Sequence, residues 1–222
     1  MSKDSENIQL HEPRLLQTEK GLALTDGNLM LIGDFTDSIK RLKSSSLENE
    51  MLVKASKLKE IRSPLVVDAT AGMGEDSLLL AASGCRVILF EQDEIIASLL
   101  ADTIKRSKSI PELANIVGRM EVRNEDSIEA LKSGTLNPDI VYLDPMFPKR
   151  QKSGLIKKKF QLLQQLEAPC VNENELMEAA IASKPKKIVV KRPAKGPNLA
   201  GKKPSYVVDG KVVRYDCYIN LT

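Results

Sequence analysis

The segment with the most specific chemistry is Asp144-Pro145-Met146-Phe147, which directly follows the apolar run at residues 140–143. It suits a conjugated exocyclic amine, which is a poor nucleophile because its lone pair is delocalised into the ring. Acceptors such as the Asp144 carboxylate and the Pro145 carbonyl help the amine to pyramidalise, and Phe147 can stack on the attached base. We therefore interpret Asp144, Pro145 and Phe147 as catalytic residues for transfer to an amine.

A second segment, Asp68-Ala-Thr-Ala-Gly72-Met-Gly74, follows the apolar run at residues 65–67. Glycines directly after a parallel strand let a ligand approach the backbone closely at the carboxyl edge of the sheet. A dinucleotide fingerprint would have a third glycine where Ser77 stands, whereas the spacing Asp-x-x-x-Gly-x-Gly resembles the first motif of class I methyltransferases. Taken alone, the turn also fits a tight strand-to-helix connection without a ligand.

Two further polar positions follow the next strands. Glu91 ends the second apolar run, at the spacing of about 20 residues from which an acid accepts hydrogen bonds from both ribose hydroxyls of a nucleoside. Asp126-Ser127 follows the third strand, where this type of fold places groups near an adenine. These positions predict an adenosyl cofactor, S-adenosylmethionine. The predicted cofactor contacts are Asp68, Gly72, Gly74, Glu91, Asp126 and Ser127.

The remaining reactive residue types exclude several classes of enzyme. His11 is the only histidine and lies in a polar N-terminal stretch, so a Ser-His-Asp or Cys-His mechanism is hard to build. Cys85, Cys170 and Cys217 are odd in number and widely spaced, which predicts buried thiols, no disulfide framework and no metal site. In-line displacement from a sulfonium needs none of these groups, because it depends on positioning and electrostatics.

Basic residues are concentrated in the last third of the chain. Residues 145–222 hold 16 Lys and Arg against 6 Asp and Glu, whereas the whole chain holds 33 against 30. Basic residues beside a base pocket would bind phosphates, which predicts an RNA partner, although a solvated lysine-rich surface is the alternative. The predicted RNA contacts are Lys149, Arg150, Lys152, Lys157, Lys158, Lys159, Lys191 and Arg192.

The elements that must position these residues alternate between strand and helix. The apolar runs predict strands at residues 65–68, 86–91, 120–123, 139–144 and 187–191. Helical patterns cover residues 77–82, 95–104, 126–131, 156–166 and 173–182. This order predicts an α/β fold with a mostly parallel sheet covered by helices on both faces. An Asp209-Gly210 turn between β-type runs predicts a terminal antiparallel hairpin at residues 206–215.

The N-terminal third is predicted to be an extension of this fold. Asp26-Gly27-Asn28 lies between two short apolar runs and indicates a β-hairpin, and residues 37–60 suit one or two amphipathic helices interrupted by Ser44-Ser-Ser46. We therefore divide the chain into an extension at residues 1–62 and a catalytic domain at residues 63–222. No apolar run approaches the roughly 20 residues of a membrane helix, and no secretory signal is present, which predicts a cytoplasmic protein, with a monomer favoured.

With these residues in place, the sequence resembles the RsmJ family of 16S ribosomal RNA guanine-N2 methyltransferases. The most specific blocks are Asp68-Ala-Thr-Ala-Gly-Met-Gly74, Tyr142-Leu-Asp-Pro-Met-Phe-Pro148 with Gln151-Lys-Ser153, and Val189-Val-Lys-Arg-Pro193. The resemblance implies a class I, Rossmann-like, seven-stranded fold, S-adenosylmethionine as donor, and the small ribosomal subunit as partner. The cofactor contacts that it implies are Glu75, Asp76, Glu91, Gln92, Asp126, Ser127 and Asp144.

Three segments depart from the family pattern. The family carries Arg-Asp where Glu75-Asp76 stands, Glu-Arg where Glu91-Gln92 stands, and a basic, glycine-rich segment at residues 41–46. The acids and the main chain still suit the cofactor. The altered charges bear instead on the choice of nucleotide and on the contacts of the N-terminal region with RNA.

Two other functions fit parts of the pattern. An adenine-N6 or other amine methyltransferase acting on DNA, tRNA or protein would use the same motif, because the motif contacts an amine and not a whole molecule. A non-catalytic RNA-binding module would need only the basic region, but the intact Gly72, Gly74, Glu91 and Asp144 argue against it. A nicotinamide-dependent dehydrogenase is disfavoured by the missing third glycine.

Overall fold

A computed structural model describes residues 12–145, 162–163, 166 and 172–220 of the chain. Within these ranges the strands form a seven-stranded sheet and a separate three-stranded sheet. The strands of the three-stranded sheet are β1 (Arg14–Thr18), β2 (Gly21–Thr25) and β3 (Met30–Ile32). The strands of the seven-stranded sheet are β4 (Leu65–Asp68), β5 (Arg86–Phe90), β6 (Met120–Arg123), β7 (Ile140–Leu143), β8 (Lys187–Pro193), β9 (Tyr206–Val208) and β10 (Val213–Ile219).

The seven-stranded sheet has the order β6-β5-β4-β7-β8-β10-β9. The pairs from β6 to β8 are parallel, whereas β10 is antiparallel to both β8 and β9. The predicted mostly parallel sheet with a C-terminal antiparallel hairpin is confirmed. The order reverses between β4 and β7, and open α/β sheets bind ligands at such a point, beyond the carboxyl ends of the strands.

Helices cover both faces of this sheet, as the continuous apolar runs of its central strands require. They are α1 (Ser44–Leu47), α2 (Met51–Ser56), α3 (Glu75–Ala82), α4 (Glu94–Ser107), α5 (Pro111–Val117), α6 (Ser127–Lys132) and α7 (Glu173–Ala182). One core lies between the sheet and α2 to α5, and a second lies between the sheet and α6 and α7. In β7, for example, Ile140 and Tyr142 belong to the first core and Val141 and Leu143 to the second, because alternate side chains point to opposite faces.

Three of the described helices begin at a residue whose side chain caps the first turn, and in α7 the Asn172 side chain accepts from the Glu175 N–H. The Asp93 carboxylate accepts hydrogen bonds from the main-chain N–H groups of Ile95 and Ile96 at the start of α4, and Asp126 accepts from Ile128 at the start of α6. The helix α5 was not predicted from the sequence. Its signal is Pro111 in the first turn, a position that does not need a main-chain donor.

The N-terminal hairpin is confirmed by the antiparallel pairing of β2 with β3. The strand β1 extends this sheet and was not predicted, because its side chains are mostly exposed and lack an apolar face. The sheet packs on α4, where Leu24 and Leu31 form a buried cluster with Ile96 and Leu99. The N-terminal hairpin is therefore attached to a helix of the catalytic fold.

The serines at residues 44–46 were predicted to interrupt a helix. Instead, they form most of α1. The following helix, α2, packs against the seven-stranded sheet, and its Leu52 and Ala55 belong to the first core. The buried Lys187 ammonium donates to the main-chain oxygens of Ala55 and Lys57, just at the end of α2. Burial lowers the pKa of this lysine. The division at residue 62 stays a prediction, and the packing of α2 joins both parts in one core.

Most of the predicted helix at residues 156–166 lies outside the described residues. Leu162 and Leu163, which are described, are buried with the cluster of the N-terminal sheet. Cys85 and Cys217 are buried free thiols, as expected, and Cys170 lies outside the described residues. No helix in the described part of the chain is long and apolar enough to cross a membrane.

Candidate active site

A cleft of about 880 Å³ opens at the carboxyl ends of β4, β5 and β7. Small-molecule sites have volumes of this order. The glycine turn after β4, the acid after β5, the Asp126-Ser127 pair after β6 and the start of the Asp144 motif after β7 all line the cleft. The structure thus brings together the described motifs that the sequence had placed at separate strand ends.

The two glycines of the turn have different roles. Gly72 and Gly74 have φ angles of 53° and 75°, in the left-handed region that favours glycine. A Cβ atom on Gly74 would lie 2.6 Å from Leu100 Cδ1, so this glycine allows α3 to pack against α4. A Cβ atom on Gly72 would meet nothing within 4 Å. Gly72 therefore leaves open space in the cleft where a ligand can reach the backbone.

Asp68 was predicted to contact the cofactor, but its carboxylate makes internal hydrogen bonds. The residue is only 1% exposed. One oxygen accepts from the Thr70 N–H at 3.1 Å and the other from the Ser77 hydroxyl at 2.6 Å. Asp68 thus connects the start of the glycine turn to α3. Burial raises the pKa of Asp68 to about 7, against the hydrogen bonds from Ser77 and Thr70, which lower it.

This raised pKa predicts a pH effect on stability. A carboxyl group whose pKa is higher in the folded state contributes stability below its unfolded pKa of about 4, and that contribution is lost as pH rises through 7. Asp68→Asn removes this titration. The unfolding free energy of the variant minus that of wild type should therefore increase by roughly 2–4 kcal/mol between pH 5 and pH 8. Urea unfolding at both pH values measures the difference. Parallel pH curves would contradict the assignment, and the exposed Asp37→Asn is the control.

Glu91 is linked to the glycine turn by its side chain. One carboxylate oxygen accepts from the Gly72 N–H at 3.0 Å and the other from the Asp93 N–H at 2.9 Å. Burial raises the pKa of this carboxyl. A carboxylate has about four lone-pair sites, so acceptor capacity is left for the hydroxyls of a ribose. Gln92, beside it, is exposed, and its main-chain oxygen accepts from the Asn124 amide.

The Asp144 motif begins at the same edge. The Asp144 N–H donates to the Thr70 hydroxyl oxygen at 2.7 Å, which ties the end of β7 to the glycine turn. Burial raises the pKa of the Asp144 carboxyl, and the nearby Lys191 ammonium opposes this rise. Pro145 is buried and lines the cleft. Phe147, the predicted stacking residue, lies outside the described residues.

Asp144 is part of a charged cluster that sequence reasoning did not identify. The Lys191 ammonium lies 2.9 Å from Asp144 Oδ2 and 2.7 Å from Asp76 Oδ2. The Tyr142 hydroxyl donates to the same oxygen of Asp76 at 2.6 Å. Asp76 therefore has internal partners, whereas its neighbour Glu75 is exposed at the start of α3. The signal in the sequence was the two-residue alternation along β7 and β8, which places Tyr142, Asp144 and Lys191 on one face.

The same alternation separates Lys191 from Arg192, which were both predicted to contact RNA. Lys191 points to the α3 side of the sheet, into the cleft. Arg192 points to the other side, where its side chain is 0% exposed and its guanidinium contacts a Glu173 oxygen at 3.1 Å and the Pro197 main-chain oxygen at 2.7 Å. A buried guanidinium with these partners cannot bind a surface phosphate. The other predicted RNA contacts, Lys149, Arg150, Lys152, Lys157, Lys158 and Lys159, lie outside the described residues.

The electrostatics of the cleft favour a cationic ligand. Lys191 is the only lysine or arginine among the described residues that line it. Eight acidic residues line the same cleft: Asp68, Glu75, Asp76, Glu91, Asp93, Glu125, Asp126 and Asp144. Clustered charges of one sign in a cleft attract a ligand of the opposite sign and repel one of the same sign. The site therefore fits the sulfonium and ammonium groups of S-adenosylmethionine and disfavours the pyrophosphate of a dinucleotide.

Comparison with known proteins agrees with this chemistry. A family model of SAM-dependent methyltransferases, SAM_MT, matches residues 4–220. The chain is 41% identical to ribosomal RNA small subunit methyltransferase J of Thioalkalivibrio sulfidiphilus over 78% of this chain and 69% of that protein. It is 42% identical to the protein of the same name from Pseudomonas savastanoi pv. phaseolicola over 76% of this chain and 63% of the relative.

A solved structure is similar over almost the whole chain. The crystal structure of a SAM-dependent methyltransferase from Neisseria gonorrhoeae is 31% identical, with a TM-score of 0.74, and the match covers 99% of this chain and 86% of that one. The matched part of this chain includes the residues of the N-terminal sheet and of the antiparallel hairpin. These matches establish the fold and the cofactor class.

Proposed function

Because the chain belongs to the family of SAM-dependent methyltransferases that includes ribosomal RNA small subunit methyltransferase J, we propose that it methylates the exocyclic N2 amine of a guanine in 16S ribosomal RNA. The observation that carries the proposal is the position of Asp144. Its carboxylate lies at the carboxyl end of β7, in an acidic cleft beside the glycine turn.

The residues around the turn are suited to hold the donor. S-adenosylmethionine, when bound, supplies an activated methyl group on a sulfonium. Gly72 leaves space beside the backbone, and Glu91 has acceptor capacity for the ribose hydroxyls. Asp126 lies in the cleft at the start of α6, beside Ser127, where the sequence predicts contacts near the adenine. Glu75, Asp76 and Gln92 line the cleft at the other positions that the family resemblance implies.

Asp144 is suited to accept hydrogen from the amine. Its Oδ2 atom accepts from Lys191, and among the described residues its Oδ1 atom has no hydrogen-bond partner. The Pro145 carbonyl is the second proposed acceptor. The donor, when bound, would supply the methyl group, and the proton that the amine gives up on methylation would pass from the nitrogen to the Asp144 carboxylate. An acceptor already placed at the amine stabilises the charge that develops there.

The substrate assay that tests the proposal compares acceptors directly. Purified protein and tritiated S-adenosylmethionine are incubated with undermodified 30S subunits, free 16S RNA and DNA, and the labelled nucleotide is identified by mass spectrometry. We expect label in N2-methylguanine of 16S RNA. Label only in adenine would replace the guanine assignment with an adenine-N6 activity. Failure of the folded protein to bind S-adenosylhomocysteine would favour a non-catalytic RNA-binding module.

The predicted RNA-binding lysines give a further test. Charge reversal of Lys157, Lys158 and Lys159 to Glu should weaken binding of 16S RNA, because three phosphate contacts are lost. The slope of log K against log salt should become shallower by about 2 for single-stranded RNA. Fluorescence anisotropy at several salt concentrations measures this slope.

A matched triple reversal controls for net charge. Arg86, Lys105 and Lys108 are exposed. They lie at the start of β5 and the end of α4, at the amino-terminal ends of the parallel strands and so opposite the cleft. Their reversal to Glu should change the slope much less. Equal slopes for the two triple variants would assign the three lysines at residues 157–159 to a generic solvated surface.

A further inference from the structure

We infer that Lys191 is a positioning residue for methyl transfer, whose ammonium bridges Asp76 and Asp144 and leaves one oxygen of Asp144 free for the amine. This inference rests on the proposed function for the identity of the amine. It replaces the sequence-based prediction that Lys191 binds phosphate. The bridge joins the first turn of α3, where the cofactor is expected, to the end of β7, where the amine is expected.

The bridge follows from the register of the sheet. In the parallel pair of β7 and β8, Leu143 lies opposite Val190. The next residues along these two strands are Asp144 and Lys191, so they leave neighbouring strands at the same level. Because side chains alternate along a strand, both point to the face that α3 covers. The backbone therefore places a lysine beside the proposed amine acceptor, and the first turn of α3 adds Asp76.

The cluster fixes the lysine from two sides. Its ammonium contacts Asp76 Oδ2 at 2.7 Å and Asp144 Oδ2 at 2.9 Å, and all three side chains are partly buried. The Tyr142 hydroxyl also donates to Asp76 Oδ2, at 2.6 Å, so Asp76 is itself held in place. Charge-assisted hydrogen bonds of this length are strong and directional. An ammonium held in this way cannot also grip a phosphate on the surface.

The charge of Lys191 matters because Asp144 can serve the amine only as an acceptor. A protonated carboxyl carries a hydrogen on one oxygen and loses acceptor capacity there. Burial and the charge of Asp76 both raise the pKa of the Asp144 carboxyl, whereas Lys191 lowers it. The charged or titratable groups of the described residues that influence or neighbour Asp144 are Asp68, Asp76, Tyr142, Lys191, Arg192 and Tyr215. Lys191 is the one cation among them in direct contact with it.

The test replaces the ammonium with an uncharged side chain of similar length. In Lys191→Met, kcat at pH 7 should fall by about tenfold or more, and the acid limb of the kcat profile should move to higher pH by about one unit. Affinity for S-adenosylhomocysteine should change much less than kcat. Lys191→Arg keeps a positive charge and should recover most of the lost kcat and the position of the limb. A purely structural or RNA-binding lysine predicts an acid limb that does not move in Lys191→Met, and this outcome would overturn the inference.

A lysine on the same face of the same strand provides the matched control. The Lys187 ammonium is buried, but its partners are main-chain oxygens instead of carboxylates. Lys187→Met should lower the melting temperature and leave the acid limb in place. A limb that shifted equally in both variants would show that any loss of packing in β8 moves it, and would count against Lys191 as a specific positioning residue.

A second readout does not need a substrate. Loss of Lys191 raises the pKa of Asp144 in the folded state, so the stability deficit of Lys191→Met relative to wild type should grow as pH rises from 5 to 8. The growth should be smaller when both proteins also carry Asp144→Asn. A deficit with the same pH dependence in both backgrounds would refute the coupling of Lys191 to Asp144. If wild-type protein methylates no tested RNA, the proposed function fails while this readout still decides the coupling.

Discussion

Asp144→Asn should lower kcat for methyl transfer by roughly 10²–10³-fold and leave affinity for S-adenosylhomocysteine close to that of wild type. The amide keeps the shape of the side chain but loses the negative charge and half of its acceptor capacity. Loss of one preorganised polar group at a reacting centre typically has an effect of this size. Single-turnover assays with tritiated donor measure transfer, and calorimetry measures cofactor binding. Asp144→Ala should be at least as damaging to transfer.

An acid at the other end of the same strand serves as the control. Asp139 precedes β7, accepts from the Leu65 N–H and forms an ion pair with Lys186, much as Asp144 pairs with Lys191. Asp139→Asn should reduce stability slightly and leave kcat unchanged. Full activity of Asp144→Asn would refute the proposed role. Equal losses of kcat in Asp144→Asn and Asp139→Asn would mean that the ion pairs at the two ends of β7 support folding and that Asp144 has no specific role in methyl transfer.

The second large effect is expected for Gly72→Ala, which should weaken cofactor binding by roughly tenfold or more. A methyl group on Gly72 would extend into the open space of the cleft beside the turn. The left-handed backbone adds a strain of about 1–2 kcal/mol, which lowers stability as well. Calorimetry with S-adenosylhomocysteine and urea unfolding separate the two effects.

Gly134 distinguishes strain from obstruction of the cleft. Its φ angle is 70°, and a Cβ atom there would also meet nothing within 4 Å, but it does not line the cleft. Gly134→Ala should therefore lose a similar amount of stability and bind the cofactor normally. If Gly72→Ala also bound normally, the space beside Gly72 would not be the cofactor site. Gly74→Ala tests a third case, since its methyl group would collide with Leu100 and should mainly reduce stability.

The two residue pairs that are predicted to depart from the family pattern, Glu75-Asp76 and Glu91-Gln92, each contain one exposed residue. In each of these pairs, the acid that is expected to match the family accepts internal hydrogen bonds: Asp76 from Tyr142 and Lys191, and Glu91 from Gly72. Glu75 and Gln92, the residues predicted to differ from the family, are exposed. A charge change at an exposed rim position alters contacts with an incoming substrate more readily than it alters the internal hydrogen bonds of the cleft.

Periodic patterns predicted most of the fold. Buried central strands such as β4 and β7 have continuous apolar runs, which few alternatives can explain, and Asp-Gly or Asp-Gly-Asn turns identified both hairpins. The strand β1 was not predicted, because an exposed edge strand needs no apolar pattern. The helix α5 was not predicted, because its seven residues are too few to establish a helical period.

The site was predictable at the level of strand ends, and less so at the level of partners. The sequence placed Asp68, Glu91 and Asp144 at one edge, because parallel strands have their carboxyl ends together. It did not show that the Asp68 carboxylate already accepts internal hydrogen bonds, because this depends on the position of Ser77 in α3. Lys191 and Arg192 were grouped because they are adjacent and basic, although adjacency along a strand means opposite faces.

The antiparallel strand β10 lies between β8 and β9, and this position constrains the order in which a growing chain can fold. The Cys217 thiol in β10 contacts the main-chain oxygen of Ala55 in α2, a separation of 162 residues. During synthesis from the N-terminus, the face of α2 that contacts β10 and the free edge of β8 therefore stay uncovered until β10 has been made. Such distant pairings slow folding and leave apolar surface exposed in the meantime, so chains that lack β10 are expected to associate.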